Sequence, residues 1–574
     1  MLIQRHMKYV LLTSVIPFIL ILLFMPHSEL IGKQVNTDFD ILIVNAIIYD
    51  GTGNPEYRAD IGIKGDRIAR IGMLGDACAD RVIDASGKIL TPGFIDLHNH
   101  AGTNRLADSD DPKVRIAPNL ISQGYTTVVI NSDGGSPWPI SNQRSILEYA
   151  DFGPNVVLMV GHGTVRRKVM GSDIQRPATQ EEILKMREMV RQGMNEGAYG
   201  LTAGLEYVPG RWSEPDEIQQ MAQEIVPHGG VYISHQRSEG NTPLWYRPSQ
   251  NGENPPNLHD SILETIEIGE KTGATVVASH IKAKGVDQFG VSRDVVQLIE
   301  KARKRGVRIY ADQYPYIMTS DDRDVRLVPE WARDKGRDLL DNSNATITEA
   351  VHRLLENETL AELLKKDIKH EINRRGGADN TIITDSHNDS HIGRSLADIA
   401  DERDVTPLEM VFIFQDEGNH SWWGGVRKRS FSLSEYDVEV FMKQEWTATA
   451  TDAGTYAPGA TGPVHPRWFG TISRKINRYV LEREVISLSH AIRSSSSLPA
   501  QILGFKERGM VREGYFADIV LMDLESLRDL ATFEDPYQYP EGIEYVIVNG
   551  ELVIEGGDFT WNLPGRILTP LSEQ

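Results

Sequence analysis

The sequence predicts an α/β protein in which βα units build a parallel sheet of the barrel kind and both chain ends contribute a small β domain. Two observations carry this. The middle of the chain alternates short apolar strands with amphipathic helices, and the two ends are rich in hairpin signals. A third observation places the chemistry. Strands of the middle end in histidine or aspartate, at the end where barrel enzymes hold their active residues.

In chain order, Arg5, His6 and Lys8 precede an apolar run from Tyr9 to Pro26. Residues 1–36 therefore read as a signal or membrane-anchor segment, and the protein is expected to be exported: periplasmic, secreted or membrane-anchored. The small β domain is expected over 37–90 and 505–574. "FDILIVNAIIYDGTG" reads as a strand pair with a Gly-rich turn, "ADIGIKGDRIARIG" as a hairpin, and "EYVIVNGELVIEGG" as a hairpin turning at Asn549-Gly550. The barrel is expected over 91–504. Within it "PATQEEILKMREMVRQGMNEG" is a helix opened by a capping box at Thr179 and Glu182 and stopped near Gly197. The strands "GGVYISH", "ATVVASH" and "VRIYADQYPY" alternate with the helices "SILETIEIGEKTG" and "SRDVVQLIEKARKRG". From about 321 to 398 a charged, mostly helical stretch breaks the rhythm and reads as an insertion over the barrel mouth.

Composition narrows the function. A formal net charge of -21 argues against nucleic acid as partner, because phosphate neutralisation needs a basic surface. Cys78 is the only cysteine, so an intramolecular disulfide and a thiolate zinc cluster are both excluded.

"TPGFIDLHNH" ends in two histidines one residue apart. Period-two alternation puts Asp96, His98 and His100 on one face, toward the barrel axis, with Ile95 and Leu97 toward the helices. His235 ends "VYISH", His280 ends "VVASH", Asp133 follows "YTTVVINS" and Asp452 follows "EWTATAT". A single histidine after a strand is usually a hydrogen-bonded structural residue. The set is different, since packing would favour apolar endings. Imidazole nitrogens and carboxylate oxygens suit zinc or a similar divalent ion.

The ordered motifs "PGFIDLHNH", "VGHGTVR", "GLTAGLEYVPG", "SHQRSEG", "ASHIKAKG", "DQYPY", "TDAG", "HPRWFGT" and "GMVREGYFADIVLMD" resemble the amidohydrolase superfamily, and within it the D-aminoacylases, the N-acyl-D-amino-acid deacylases. The resemblance runs from about Phe39 to about Gly557. It implies a distorted (β/α)8 TIM-type barrel with a small β-sandwich domain. It implies zinc, as one or two divalent ions, with His98 and His100 at one position, His235 and His280 at the other, and Asp452 as catalytic acid/base. D-aminoacylases usually place a cysteine where this chain has Asp133, and an acidic pair where it has Ala101-Gly102. A carboxylate at Asp133 can still bind or bridge ions, as a harder ligand. The resemblance also implies that Tyr207, Lys282, Tyr314 and Arg467 grip the carboxylate of a small N-acyl amino acid substrate. Lys282 shares strand parity with His280, which agrees. His162 is a further candidate for lining the site.

The function so implied is removal of the acyl group from N-acyl-D-amino acids. Two rivals stand beside it. One is a dipeptidase or cyclic amidase of the same superfamily, many of which use a carboxylated lysine as bridging ligand. The other is a non-catalytic, membrane-tethered binding protein.

Overall fold

Eight short strands run parallel around an apolar interior: β1 (Phe94–Asp96), β2 (Tyr125–Ile130), β3 (Asn155–Leu158, resumed at Val160–Gly161), β4 (Gly200–Gly204), β5 (Val231–His235), β6 (Thr275–Ala278), β7 (Ile309–Gln313) and β8 (Thr447–Thr449). The computed structural model describes residues 37–102, 106–107, 111–252, 255–456 and 464–570. The leader expected over 1–36 lies outside the described residues. Among the described residues no helix is long and apolar enough to cross a membrane.

Neighbouring strands pair in chain order from β1 to β8. The ring closes where Asn99 bridges Ala453 in parallel, with His100 N–H donating to Ala453 O (2.7 Å) and Asp452 N–H to His98 O (3.0 Å). The seam beside β3 is where the barrel is distorted. Val160–Gly161 pairs with β4, but lower down Ile567–Leu568, from the far end of the chain, pairs in parallel with Val156–Val157. The expected β domain of 505–574 therefore gives its last described strand to the barrel.

Two apolar layers sandwich the strands. Val128, Ile130, Val156, Leu201, Val276 and Ile309 pack outward against helix residues such as Ile121, Val190, Ile262, Ile266 and Val295. Val129, Val157, Val231, Ile233, Val277 and Ala448 meet one another across the axis, together with Ile95 and Leu97. This corrects the expected parity at β1: Ile95 and Leu97 face the axis. Period-two alternation holds only within the strand, and β1 ends at Asp96. The chain bends at Leu97 and His98, and that bend brings the histidines over the barrel mouth. The helix Gln180–Asn195 begins with the expected capping box between Thr179 and Glu182.

The small domain is a nine-stranded sheet drawn from residues 39–92 and 519–559. Ile43, Ile61, Ile83, Leu90, Ile519 and Ile547 share its core. The expected strand pair in "FDILIVNAIIYDGTG" is instead one strand, Phe39–Ile48. It is interrupted at Asn45 (φ 63°), so that one edge serves Ala79–Asp84 and then Ile89–Pro92. Asparagine tolerates this left-handed geometry, and its amide also donates to Asp84 (2.9 Å). The Asn549-Gly550 hairpin is present, both residues at positive φ as a two-residue turn of its twist requires.

The insertion continues past the expected boundary at 398. Its core runs from Val325 to Val426, and Thr381–Asp385 pairs antiparallel with Arg427–Ser430. "RKRS" carries no apolar alternation, so nothing in its pattern announces a strand.

Candidate active site

All the strand-end candidates converge. His98 and His100 follow β1, Asp133 follows β2, His235 ends β5, His280 follows β6 and Asp452 follows β8. Asp133 (φ 55°), His280 (φ 34°) and Asp452 (φ 48°) all sit in the left-handed region. Such residues cost about 1–3 kcal/mol each and persist only where their surroundings impose them. At Asp133 the reason is visible. A side chain at Gly204 would meet the Asp133 carbonyl oxygen at 2.4 Å, and one at Gly161 would strike Gly134.

Asp133 lies at the centre. Its Oδ1 is 3.5 Å from His98 Nε2, 3.7 Å from His235 Nδ1 and 3.9 Å from His280 Nε2, and its Oδ2 is 3.6 Å from His100 Nε2. The carboxylate thus spans both histidine pairs. His98 Nε2 and His100 Nε2 are 3.3 Å apart, and His235 Nδ1 and His280 Nε2 are 3.0 Å apart. Asp452 Oδ1 is 3.1 Å from His100 Nε2 and 3.6 Å from His98 Nε2.

Outer hydrogen bonds decide which ring nitrogens point inward with lone pairs. His98 Nδ1 meets Ser279 Oγ, which in turn donates to Asp312 (3.3 Å). His235 Nε2 meets Glu206 Oε2 (3.1 Å), and His280 Nδ1 meets Glu239 Oε1 (2.8 Å). These partners take the imidazole protons on the outer side. The inner nitrogens then crowd the Asp133 carboxylate, whose Oδ1 is buried with no hydrogen-bond donor among the described residues. Buried acceptors gathered this way are costly unless a cation lies among them. The residues therefore fit one or two divalent ions, with the nitrogen and oxygen donors that zinc accepts.

Electrostatics agree. Burial pushes His98 down to about 3, and burial with the Lys282 ammonium pushes His280 down to about 4, so both rings are neutral, the ligating form. Burial opposes a charge on His235, yet Glu239, Glu206 and Asp133 draw it up to about 9. A carboxylate field able to hold a proton there would also favour a metal ion. Burial pushes Asp452 up, but the Arg467 guanidinium and the hydrogen bond with His100 outweigh it and hold the carboxyl well below its usual range.

Glu206, Glu239, Ser279 and Asp312 are missing from the sequence-based set. Glu239 follows His235 by four residues in "SHQRSEG" and Glu206 lies in "GLEYVPG", so both are in view in the sequence, but no spacing rule assigns them to an imidazole.

The substrate candidates also gather here. Arg467 donates to the carboxylate and the backbone carbonyl of Asp452: Nη2 lies 3.0 Å from Oδ2, and Nε and Nη2 are 3.0 and 2.8 Å from the carbonyl oxygen. Its Nη1 is buried without a partner among the described residues. Lys282 Nζ pairs with Glu239 and lies 2.7 Å from His280 Nδ1. Strand parity is not what aims it, because β6 ends at Ala278. The buried Tyr314 ring lies beneath both cations, 4.8 Å from the Arg467 guanidinium and 5.5 Å from the Lys282 ammonium. Tyr207 stays partly exposed, its ring 4.2 Å from that of His235. His162 is fully buried and turned to Glu217 (2.8 Å), which also pairs with Arg166, so its Nε2 is committed to a buried hydrogen bond with Glu217.

Residues 81–554 match the amidohydrolase family. A D-aminoacylase of Alcaligenes xylosoxydans xylosoxydans is 32% identical over 555 residues, covering 92% of this chain and 97% of that protein. An N-acyl-D-glutamate deacylase of the same organism is 30% identical, covering 92% and 96%. Among solved structures, a D-aminoacylase described as having a binuclear metal center superposes with a TM-score of 0.68 at 29% identity, over 92% of this chain and 100% of the other. The N-acyl-D-glutamate deacylase from Bordetella bronchiseptica, solved with zinc and a phosphonate inhibitor, gives 0.68 at 28% identity, over 92% and 99%.

Proposed function

From its place in the amidohydrolase family, to which this chain belongs as a metal-binding hydrolase of amide bonds, we propose that it removes the acyl group from N-acyl-D-amino acids. The observation that carries the reading is the unpaired Asp133 oxygen facing three imidazole nitrogens, with Asp452 beside them. His98, His100, Asp133, His235 and His280 would hold one or two divalent ions, zinc by donor type. When bound, such an ion supplies Lewis acidity for the acyl carbonyl and acidifies water.

The chain's own residues supply the rest. Asp452, kept ionised by Arg467, takes a proton from the attacking water and delivers it to the leaving nitrogen as the amide C–N bond breaks. The products are a carboxylic acid and a free amino acid. The free Nη1 of Arg467, the Lys282 ammonium and the Tyr314 ring between them form the place for the substrate carboxylate, by charge-assisted hydrogen bonds. D configuration is supported by the relatives named above. The apolar run from Tyr9 to Pro26 supports export as the setting.

A panel of N-acetyl-D- and N-acetyl-L-amino acids, with metal content measured on the same sample, tests this. Hydrolysis confined to the D series with bound divalent ion is expected, and equal rates on the L series would overturn the substrate class. Asp452→Asn is expected to lower kcat by about 10²–10⁴-fold with the native circular-dichroism spectrum retained. Unaltered turnover would remove Asp452 from its role.

A further inference from the structure

His280 has two ring nitrogens with opposite tasks. Nε2 points into the metal group, 3.0 Å from His235 Nδ1 and 3.9 Å from Asp133 Oδ1. Nδ1 faces two contenders at once: Glu239 Oε1 at 2.8 Å and Lys282 Nζ at 2.7 Å. Neutral imidazole carries one proton, and the two contenders ask for opposite placements. If Nδ1 holds the proton it donates to Glu239, and the Nε2 lone pair is free to ligate. If Nδ1 instead accepts from the Lys282 ammonium, the proton sits on Nε2, and Nε2 cannot bind a metal.

The other two buried rings, His98 and His235, have no such conflict. His98 Nδ1 meets a serine hydroxyl that passes its own proton on to Asp312, and His235 Nε2 meets Glu206. Only at His280 does a cation compete for the outer nitrogen, and that cation is itself held by Glu239. All three side chains are buried, so water cannot settle the contest.

We propose that Glu239 is a positioning residue that selects the ligating tautomer of His280: it takes the Nδ1 proton and binds the Lys282 ammonium away from that nitrogen. This rests on the metal reading given under the proposed function. A second consequence follows from Lys282 being shared. A carboxylate ligand that engages Lys282 draws it from His280 and favours the ligating tautomer. Metal and carboxylate ligand then strengthen each other's binding, as linkage requires.

The test is zinc affinity of the full chain, measured by chelator competition without substrate, for the wild type, Glu239→Gln, Lys282→Met and the double variant. Glu239→Gln is expected to weaken zinc binding tenfold or more, the usual cost of losing an outer partner of a metal histidine. Adding Lys282→Met is expected to restore most of that loss, because the contender is gone. Equal zinc affinity in wild type and Glu239→Gln overturns the proposal. So does a loss that Lys282→Met fails to restore, which would make Glu239 a packing residue. A wild-type chain that binds no zinc overturns the metal reading, and this proposal with it. Should Glu239→Gln not fold, ¹⁵N-imidazole shifts of His280 in the zinc-free wild type decide the matter: a proton on Nδ1 is expected, and a proton on Nε2 overturns it.

Discussion

At the scale of single residues, Arg467 governs the ionisation of Asp452. Burial alone would raise the Asp452 carboxyl, and Arg467 is the foremost group holding it down. Removing the guanidinium therefore raises that carboxyl, so more acid-side protons compete for it. Arg467→Met is expected to move the acid limb of the kcat/KM profile to higher pH and to raise KM for carboxylate substrates. A limb that stays in place while KM rises would confine Arg467 to substrate binding. His98, His235, His280, Asp133 and Asp452 were legible from sequence because each closes or closely follows a strand of the βα succession. Glu206 and Glu239 were not, because carboxylates in polar loops look alike until the fold turns them onto an imidazole. The two histidines of "HNH" were placed toward the axis by a parity that the bend at Leu97 and His98 replaces.

At the scale of elements, the insertion is bolted to the site. Arg375, at the end of the helix Glu358–Arg374, pairs with Asp321 (2.7 Å) and Asp322 (2.6 Å), and Lys284 pairs with Asp321 (3.0 Å). Lys284 is two residues beyond Lys282, so the insertion steadies the loop that carries Lys282. Asp322 is fully buried, and removing one partner of a buried pair costs about 3–5 kcal/mol. Arg375→Met is expected to cost that much in urea-induced unfolding, and to raise KM through Lys282. A loss below about 1 kcal/mol would show that the remaining bonds carry the junction. The insertion's helices were legible from their charge and periodicity. Its far edge was not, because Arg427–Ser430 joins a sheet by backbone hydrogen bonds that side-chain pattern does not record.

At the scale of the whole molecule, alternation of strands and helices was enough to read the βα succession, and hairpin signals were enough to pair the two chain ends. What pattern could not give is how the ring closes. Two places decide that: the Asn99–Ala453 bridge and the pairing of Ile567–Leu568 with β3. Neither is a local property of sequence. Leu568 also packs into the axial core with Ile95, Ile233 and Val277. Deleting residues 565–574 is expected to abolish a single cooperative thermal transition while leaving much of the helical circular dichroism. A truncated chain that melts like the full one would make this strand dispensable.

That strand makes one wall of the barrel depend on a contact between residues 411 positions apart, as between Arg566 and Asn155. Contacts between residues so far apart in sequence form slowly. The wall beside β3 is therefore expected to be among the last parts of the barrel to set, exchanging its amide protons with solvent while the neighbouring βα units already protect theirs.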